Sequence, residues 1–239
     1  MRLEGKTTMI TGASRNIGRQ IALTFAKEGS DLILNTRSSK NELDEVASSC
    51  AELGVKTHIV LGDVSDPDKC SEMVQEGINS LGKVDVLISN VAIRPHRPIL
   101  DVSNDEWQTV MQTNLFPAFY LIKAVLPDMI KRQSGSIIAL GGQAAITGRP
   151  ETASVTTAKH GLLGLLRAVA AEMAPYNIRA NMVNPGSTDT QRLNPEWYPE
   201  FEQLDRGSSE HLKGIPMGRQ GTVDDIANAC LFFASDESA

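Results

Sequence analysis

The 239-residue chain reads as a doubly wound α/β domain, a parallel sheet with helices on both faces. Three observations predict this. Six short, β-branched runs alternate with longer amphipathic stretches, and such alternation forces right-handed crossovers and a sheet covered on both sides. The first run is followed by a glycine-bearing turn that opens a helix, "TGASRNIG". No repeat, low-complexity segment or linker-like shift in composition divides the chain, so residues 1–239 are expected to form one domain.

The runs are "TTMIT", "DLILN", "KTHIVLG", "VDVLIS", "GSIIAL" and "IRANMVN", each bounded by Gly, Asp or Asn as buried strands are. Helical periodicity occupies residues 17–28, 40–53, 66–81, 104–131, 152–174 and 223–234. The fourth helix begins at a capping box, "SNDE", in which Glu106 is expected to reach back to the Ser103 cap. Ligands on such sheets bind beyond the carboxyl ends of the strands. The loops after "MIT", "LILN", "VLIS", "IIAL" and "MVNP" are therefore where chemistry is sought.

A formal net charge of −6 argues against general binding to nucleic acid or to an anionic membrane. No apolar run reaches the ~20 residues of a membrane span. The first residues, "MRLEGKTTMITG", enter a strand almost at once, so no secretory leader is expected. Cys50, Cys70 and Cys230 are odd in number and scattered. They read as reduced thiols of a cytoplasmic protein, with no metal-ligand spacing.

Gly12 permits the tight turn after the first strand, and Gly18 lets the following helix lie close to that strand. The start of that helix offers free amides and a positive dipole end to a pyrophosphate. Ser14, Arg15, Asn16 and Ile17 complete this candidate phosphate cradle. Asn16 stands where the usual fingerprint has another glycine, and Asn is the side chain that best tolerates a left-handed backbone. At the end of the second strand, "NTRSS" carries no acidic residue to grip an adenosine ribose. Arg37 and Arg15 suit a 2′-phosphate instead, so NADP(H) is favoured over NAD(H). The alternative is a pair of solvated surface arginines.

With these residues and the ones that follow, the whole chain resembles the short-chain dehydrogenase/reductase family in its short, single-domain Rossmann form, near 3-oxoacyl-ACP reductase-like members. "TGASRNIG" is similar to the family's TGxxxGxG, and "GDVSD" supplies Asp63 and Val64 for its adenine pocket. "SNVA" matches the family's NNAG only at Asn90, and "NLFPAFYLIK" begins with Asn114, the catalytic-helix asparagine. "VNPGSTDT" matches the Pro-Gly segment, which implies Pro185, Gly186, Thr188 and Thr190 beside the cofactor. Lys159 matches the lysine that holds the nicotinamide ribose. The resemblance also implies a homotetramer or homodimer, built on the helices that begin near Ser103 and Thr152. The family usually continues past "ASDESA" into one more strand, so the sheet of these residues is expected without that last edge strand.

Two departures concern the chemistry. Counting back from Lys159, the family's catalytic Tyr position holds Val155 and its catalytic Ser position holds Gly142. Carbonyl reduction needs a proton and a donor for the developing alkoxide, and neither residue supplies one. Losing the acid costs roughly 10²–10⁴ in rate, and losing the oxyanion donor a similar factor. Ser154, Thr156 and Thr157 flank the gap but leave the helix about 100° or more away from the Val155 direction. Tyr120 lies on a long helix expected to pack against its neighbours, and His160 faces about 100° away from Lys159.

The loop "IRPHRP" leaves from the ligand end of the sheet. His96 there suits proton transfer, and Arg94 and Arg97 suit an anionic substrate; the alternative is a charged exposed loop. Gln143, beside Gly142, is placed to donate toward a substrate oxygen. Residues 187–214 are expected to form a substrate lid, with Trp197 and Tyr198 as its apolar contacts. The candidate catalytic residues are thus Asn114, Lys159 and His96, and Gly142, Gln143, Val155, Arg94 and Trp197 face a small-molecule substrate.

Three functions follow from different classes. One is an NADP(H)-dependent oxidoreductase acting on a small carbonyl, imine or conjugated substrate without the Tyr. Another is a silent dinucleotide-binding sensor or partner subunit. The third is a non-redox lyase or hydratase reusing the pocket, which has the least use for a phosphate cradle.

Overall fold

The computed structural model describes residues 1–191 and 212–239. Its strands are β1 (Thr7–Ile10), β2 (Asp31–Thr36), β3 (Thr57–Leu61), β4 (Val86–Ser89), β5 (Gly135–Leu140) and β6 (Ile178–Val183). All pair in parallel, in the order β3-β2-β1-β4-β5-β6. The helices are α1 (Asn16–Lys27), α2 (Lys40–Ala51), α3 (Pro67–Leu81), α4 (Asn104–Asn114), α5 (Phe116–Arg132), α6 (Ala153–Met173) and α7 (Val223–Ala234).

Strand side chains alternate between two cores, as a period of two dictates. Ile10 pairs in register with Leu34 and Ile88, and these face Phe25 of α1, Leu43 of α2 and Leu231 of α7. Met9 pairs with Ile33 and Leu87, which face Met73 of α3, Val125 of α5 and Leu166 of α6. The inner strands β1, β2, β4 and β5 are buried on both sides because helices cover each face, whereas the outer strands β3 and β6 are only partly buried. Strand order reverses between β1 and β4, which opens a crevice beyond their carboxyl ends; that switch point positions the site. Among the described residues β6 is an edge strand, as expected.

Two local expectations are corrected. The helix expected over 104–131 is two helices, parted at Leu115 with φ −120° and ψ −56°. Pro117 sits in the first turn of the second helix, where its missing N–H costs no ladder bond and its fixed φ favours a new start. The "SNDE" box is half-formed. Ser103 Oγ accepts from Glu106 N–H at 3.0 Å, but the Glu106 carboxylate accepts from Arg97 Nε at 2.8 Å instead of returning to the cap. A complete box occurs at Thr222 and Asp225, at the start of α7. No helix among the described residues is long and apolar enough to cross a membrane.

Candidate active site

The turn after β1 is built from glycines that cannot be replaced. Gly12 has φ +63°, in the left-handed region. A Cβ on Gly18 would overlap the carbonyl oxygen of Gly12, so α1 approaches the loop as closely as only glycine permits. Asn90, at the end of β4, donates from Nδ2 to Thr11 O (3.0 Å) and Gly12 O (3.2 Å), while its own N–H donates to Thr11 Oγ1 at 3.0 Å. The side chain of Asn90 thus stitches the two walls of the crevice together. Ser14 is buried, Arg15 exposed, and Ile17 packs partly against the core. Asn16 adopts φ +50°, the left-handed conformation that its place in the fingerprint demands.

Beyond β2 and β3, Arg37 Nη1 lies 3.4 Å from Asp63 Oδ2. Asp63 Oδ1 also accepts from Ser65 N–H (2.9 Å) and Ser65 Oγ (2.8 Å). Burial opposes the Asp63 carboxylate, but the Ser65 bonds and Arg37 outweigh it and hold its pKa below the ordinary value. Val64 is buried beside it and Arg37 is largely exposed. An exposed pair of this kind contributes only ~0–1 kcal/mol, so the guanidinium can turn to a phosphate at little cost.

The opposite wall comes from β5, α4 and α6. Lys159 is 3% exposed, and its Nζ donates to Leu140 O at 2.6 Å. Burial, with Arg94 adding to it, brings the pKa of Lys159 down from 10.5 to about 7. Asn114 is also buried, and its amide is spent on one residue. Oδ1 accepts from Ile93 N–H and Nδ2 donates to Ile93 O, both at 2.8 Å. This clamp fixes the root of the loop that carries Arg94, His96 and Arg97. Arg97 Nε pairs with Glu106 Oε2 at 2.8 Å and its backbone N–H donates to Glu151 O at 2.8 Å, while Arg94 is exposed. His96 is half-buried on the same loop.

Val155 is 4% exposed and packs with Val110, Met111 and Ala158, with Ile93 and Ala144 against them. Gly142 has φ +130°, a backbone that side chains rarely adopt, and its N–H donates to Asn184 Oδ1 at 3.1 Å. The adjacent Gln143 sends its amide toward Gly186. Thr188 Oγ1 donates to Gly186 O at 3.3 Å, and Thr190 Oγ1 to Thr188 O at 3.5 Å, folding the segment after Pro185 on itself. Thr156 is paired with Thr152 (Oγ to Oγ 3.0 Å), and exposed His160 meets Thr156 O at 3.0 Å. Tyr120 packs its ring against Phe116 and Phe119 and does not enter the site. Trp197, Tyr198 and most of the expected lid lie outside the described residues.

Residues 12–239 match the family model described as Enoyl-(Acyl carrier protein) reductase. The 3-oxoacyl-[acyl-carrier-protein] reductase FabG of Thermotoga maritima is 35% identical over 240 residues, spanning 100% of this chain and 94% of that protein. The chain belongs to the short-chain dehydrogenase/reductase family. The FabG protein of Staphylococcus epidermidis is 34% identical over 233 residues, covering 98% of this chain and 93% of its own. A solved structure described as a putative short-chain alcohol dehydrogenase from Sinorhizobium meliloti superposes with a TM-score of 0.90 at 31% identity, over 99% of this chain and 91% of that one.

Within this dehydrogenase/reductase framework, sequence reasoning missed three supporting residues. Asn184 holds the Gly142 N–H, Glu106 pairs with Arg97, and Gln191 bonds Asn16 from across the crevice. The Asn before Pro185 in "VNPG" was a visible signal for the first. The other two depend on partners that only the fold brings near.

Proposed function

We propose that the chain binds NADP(H) and transfers hydride between it and a small anionic carbonyl, imine or conjugated substrate, with no tyrosine acid. The observation that carries this reading is a contrast within one site. The phosphate cradle keeps its close Gly12–Gly18 approach and its Asn90 stitches, while Val155 and Gly142 supply no hydroxyl. The cradle fits a dinucleotide: Gly18 leaves no room for a Cβ, and among the described residues no side chain of the cap position bonds the first amides of α1, which suit a pyrophosphate. Arg37, with Arg15, would hold the 2′-phosphate of NADP(H), and Lys159 the nicotinamide ribose.

Bound NADPH supplies a hydride. The chain's own residues do the rest. Lys159 holds or releases a proton at Nζ near neutral pH, and its cationic form joins Arg94 in a positive field for a carboxylate or phosphate. Val155 presents an apolar wall that keeps water from the place of the missing acid. Gln143 donates toward a substrate oxygen, and His96 stands on the substrate loop as a proton source. Hydride addition to an iminium neutralises it. Addition to the β-carbon of a conjugated carbonyl would leave a delocalised enolate, its oxygen facing Gln143 and Lys159 and its α-carbon taking a proton afterwards from water or His96. A simple ketone would instead give a localised alkoxide. The 3-oxoacyl group named for the FabG relatives is a ketone whose reduction needs a proton on oxygen, so it is the less suited acceptor here. The enoyl group in the family model's description is a conjugated one.

A silent, dinucleotide-sensing subunit is the second reading. It is favoured by Gly142, whose φ of +130° is a backbone conformation that a serine rarely adopts. Fluorescence titration with NADPH and NADH, followed by turnover over ketones, imines and enones, separates the readings. Tighter NADPH binding with imine or enone turnover supports the first. Binding without turnover of any acceptor establishes the second, and absence of binding overturns both.

An apolar groove of about 400 Å³ lined by Leu115, Phe116, Phe119, Tyr120 and Leu165 supports a homodimer or homotetramer as part of the same proposal. Sedimentation of the wild type and of Phe119→Glu tests it: the variant is expected to dissociate. The buried, free thiols of Cys50, Cys70 and Cys230 fit a cytoplasmic setting.

A further inference from the structure

Asn16 does more than tolerate a left-handed backbone. Its Nδ2 donates to Gln191 O at 3.0 Å, and its Oδ1 accepts from Gln191 N–H at 3.2 Å. One side-chain amide thereby pairs with one backbone residue as a neighbouring strand would, 175 positions away. Glycine at this place could not make the connection. Residues 187–189, just before Gln191, are held as well. Asp189 N–H donates to Gly221 O (2.9 Å), Gly221 N–H donates to Ser187 O (2.8 Å), and Gln220 Nε2 donates to Ser187 Oγ (2.9 Å). Gly221 directly precedes the cap of α7, and α7 is tied to α1 by Gln20 Nε2 donating to Asp224 Oδ1 at 2.6 Å. The phosphate loop, residues 187–191 and α7 therefore form a closed ring of contacts around the mouth of the crevice.

We propose that Asn16 is a positioning residue acting as a strap: its paired bonds to Gln191 close the outer rim of the phosphate groove and must open for a dinucleotide to enter or leave. The inference rests on the dinucleotide reading above. Pyrophosphate belongs between the α1 N-terminus and the segment following Pro185–Gly186, which are the two walls the strap joins. A strap that is equally strong before and after binding slows both directions and leaves affinity nearly unchanged. A merely structural role in shaping the turn would act otherwise: its loss would slow association, speed dissociation and weaken binding.

The test is Asn16→Gly, which keeps the left-handed backbone at no steric cost and removes both bonds. Stopped-flow NADPH fluorescence reads association and dissociation, and amide exchange of the Gln191 N–H in the cofactor-free protein reads the strap itself. Two neutral hydrogen bonds correspond to roughly a 10-fold change in an opening equilibrium, toward the cautious end of their range. Both rates are expected to rise about 10-fold while Kd moves less than about 3-fold, with Gln191 protection lost. Unchanged rates, or a Kd weakened as much as dissociation is accelerated, overturn the strap while leaving the cofactor reading intact. Wild-type protein that binds neither NADPH nor NADH overturns the cofactor reading and the gating role together. That outcome is distinct, because it appears before any variant is compared.

Discussion

Replacing Lys159 by methionine tests the electrostatics of the site in a way that needs no substrate. Lys159 is 3% exposed, and its pKa falls from 10.5 to about 7, chiefly by burial and then by Arg94. Each pKa unit is worth about 1.4 kcal/mol, so the shift amounts to about 5 kcal/mol of opposition to the charged form in the fold. The sign follows from proton counts. Below pH 7 both folded and unfolded chains hold the proton, and the full penalty is present. Between pH 7 and 10.5 the unfolded chain binds more protons than the folded one, so wild-type stability rises with pH. The thioether that replaces the amine has no proton to lose. The stability difference, wild type minus K159M, is therefore expected to be flat below pH 6 and to rise by about 3 kcal/mol by pH 9. Loss of the Nζ bond to Leu140 O offsets the whole curve by about 1–3 kcal/mol but does not alter its slope. Urea denaturation of both proteins at pH 6, 7, 8 and 9 gives the difference directly, since groups common to both cancel. A difference that stays level within about 0.5 kcal/mol would refute burial as the controlling force on this lysine.

Other variants probe the remaining parts. If Arg37 holds the 2′-phosphate as proposed, Arg37→Ala is expected to lower NADPH affinity about 10- to 100-fold with NADH affinity little changed, by fluorescence titration. Gly18→Ala places a methyl against Gly12 O; binding of either dinucleotide is expected to fall below detection in the same titration. Gly142→Ser restores a hydroxyl on a backbone with φ +130°, and thermal melting is expected to show a loss of about 1–3 kcal/mol. Any gain in ketone reduction from Val155→Tyr with Gly142→Ser therefore requires that loop to relax, which the double variant's kcat against that of V155Y alone reports.

What the sequence made legible were the features with a local or periodic signature. All six strands and the doubly wound class followed from alternation alone, because a parallel sheet must be apolar on both faces. Gly12 and Gly18 were legible because a turn and a close helix approach admit no other residue. The break at Leu115 was less so: Pro117 was in plain view, but proline is tolerated in a first helical turn, and nothing local said that a first turn began there. The cap at Ser103 was read correctly and its reciprocal half was not, because Arg97 competes for Glu106 and that pairing is tertiary. Asn16 and Gln191 were beyond reach for the same reason, and the positive φ of Gly142 leaves no mark in a pattern already rich in glycine.

On the proposed reading, the site holds a dinucleotide on an intact platform without a tyrosine proton relay. The most direct measurement is single-turnover NADPH oxidation by the wild type with matched acceptors, a simple ketone against an iminium and an enone of the same carbon skeleton. A measurable rate is expected with an activated acceptor, and a ketone rate lower by at least roughly 10², the smaller cost of a missing acid. A ketone reduced as fast as its activated counterparts would contradict that reading.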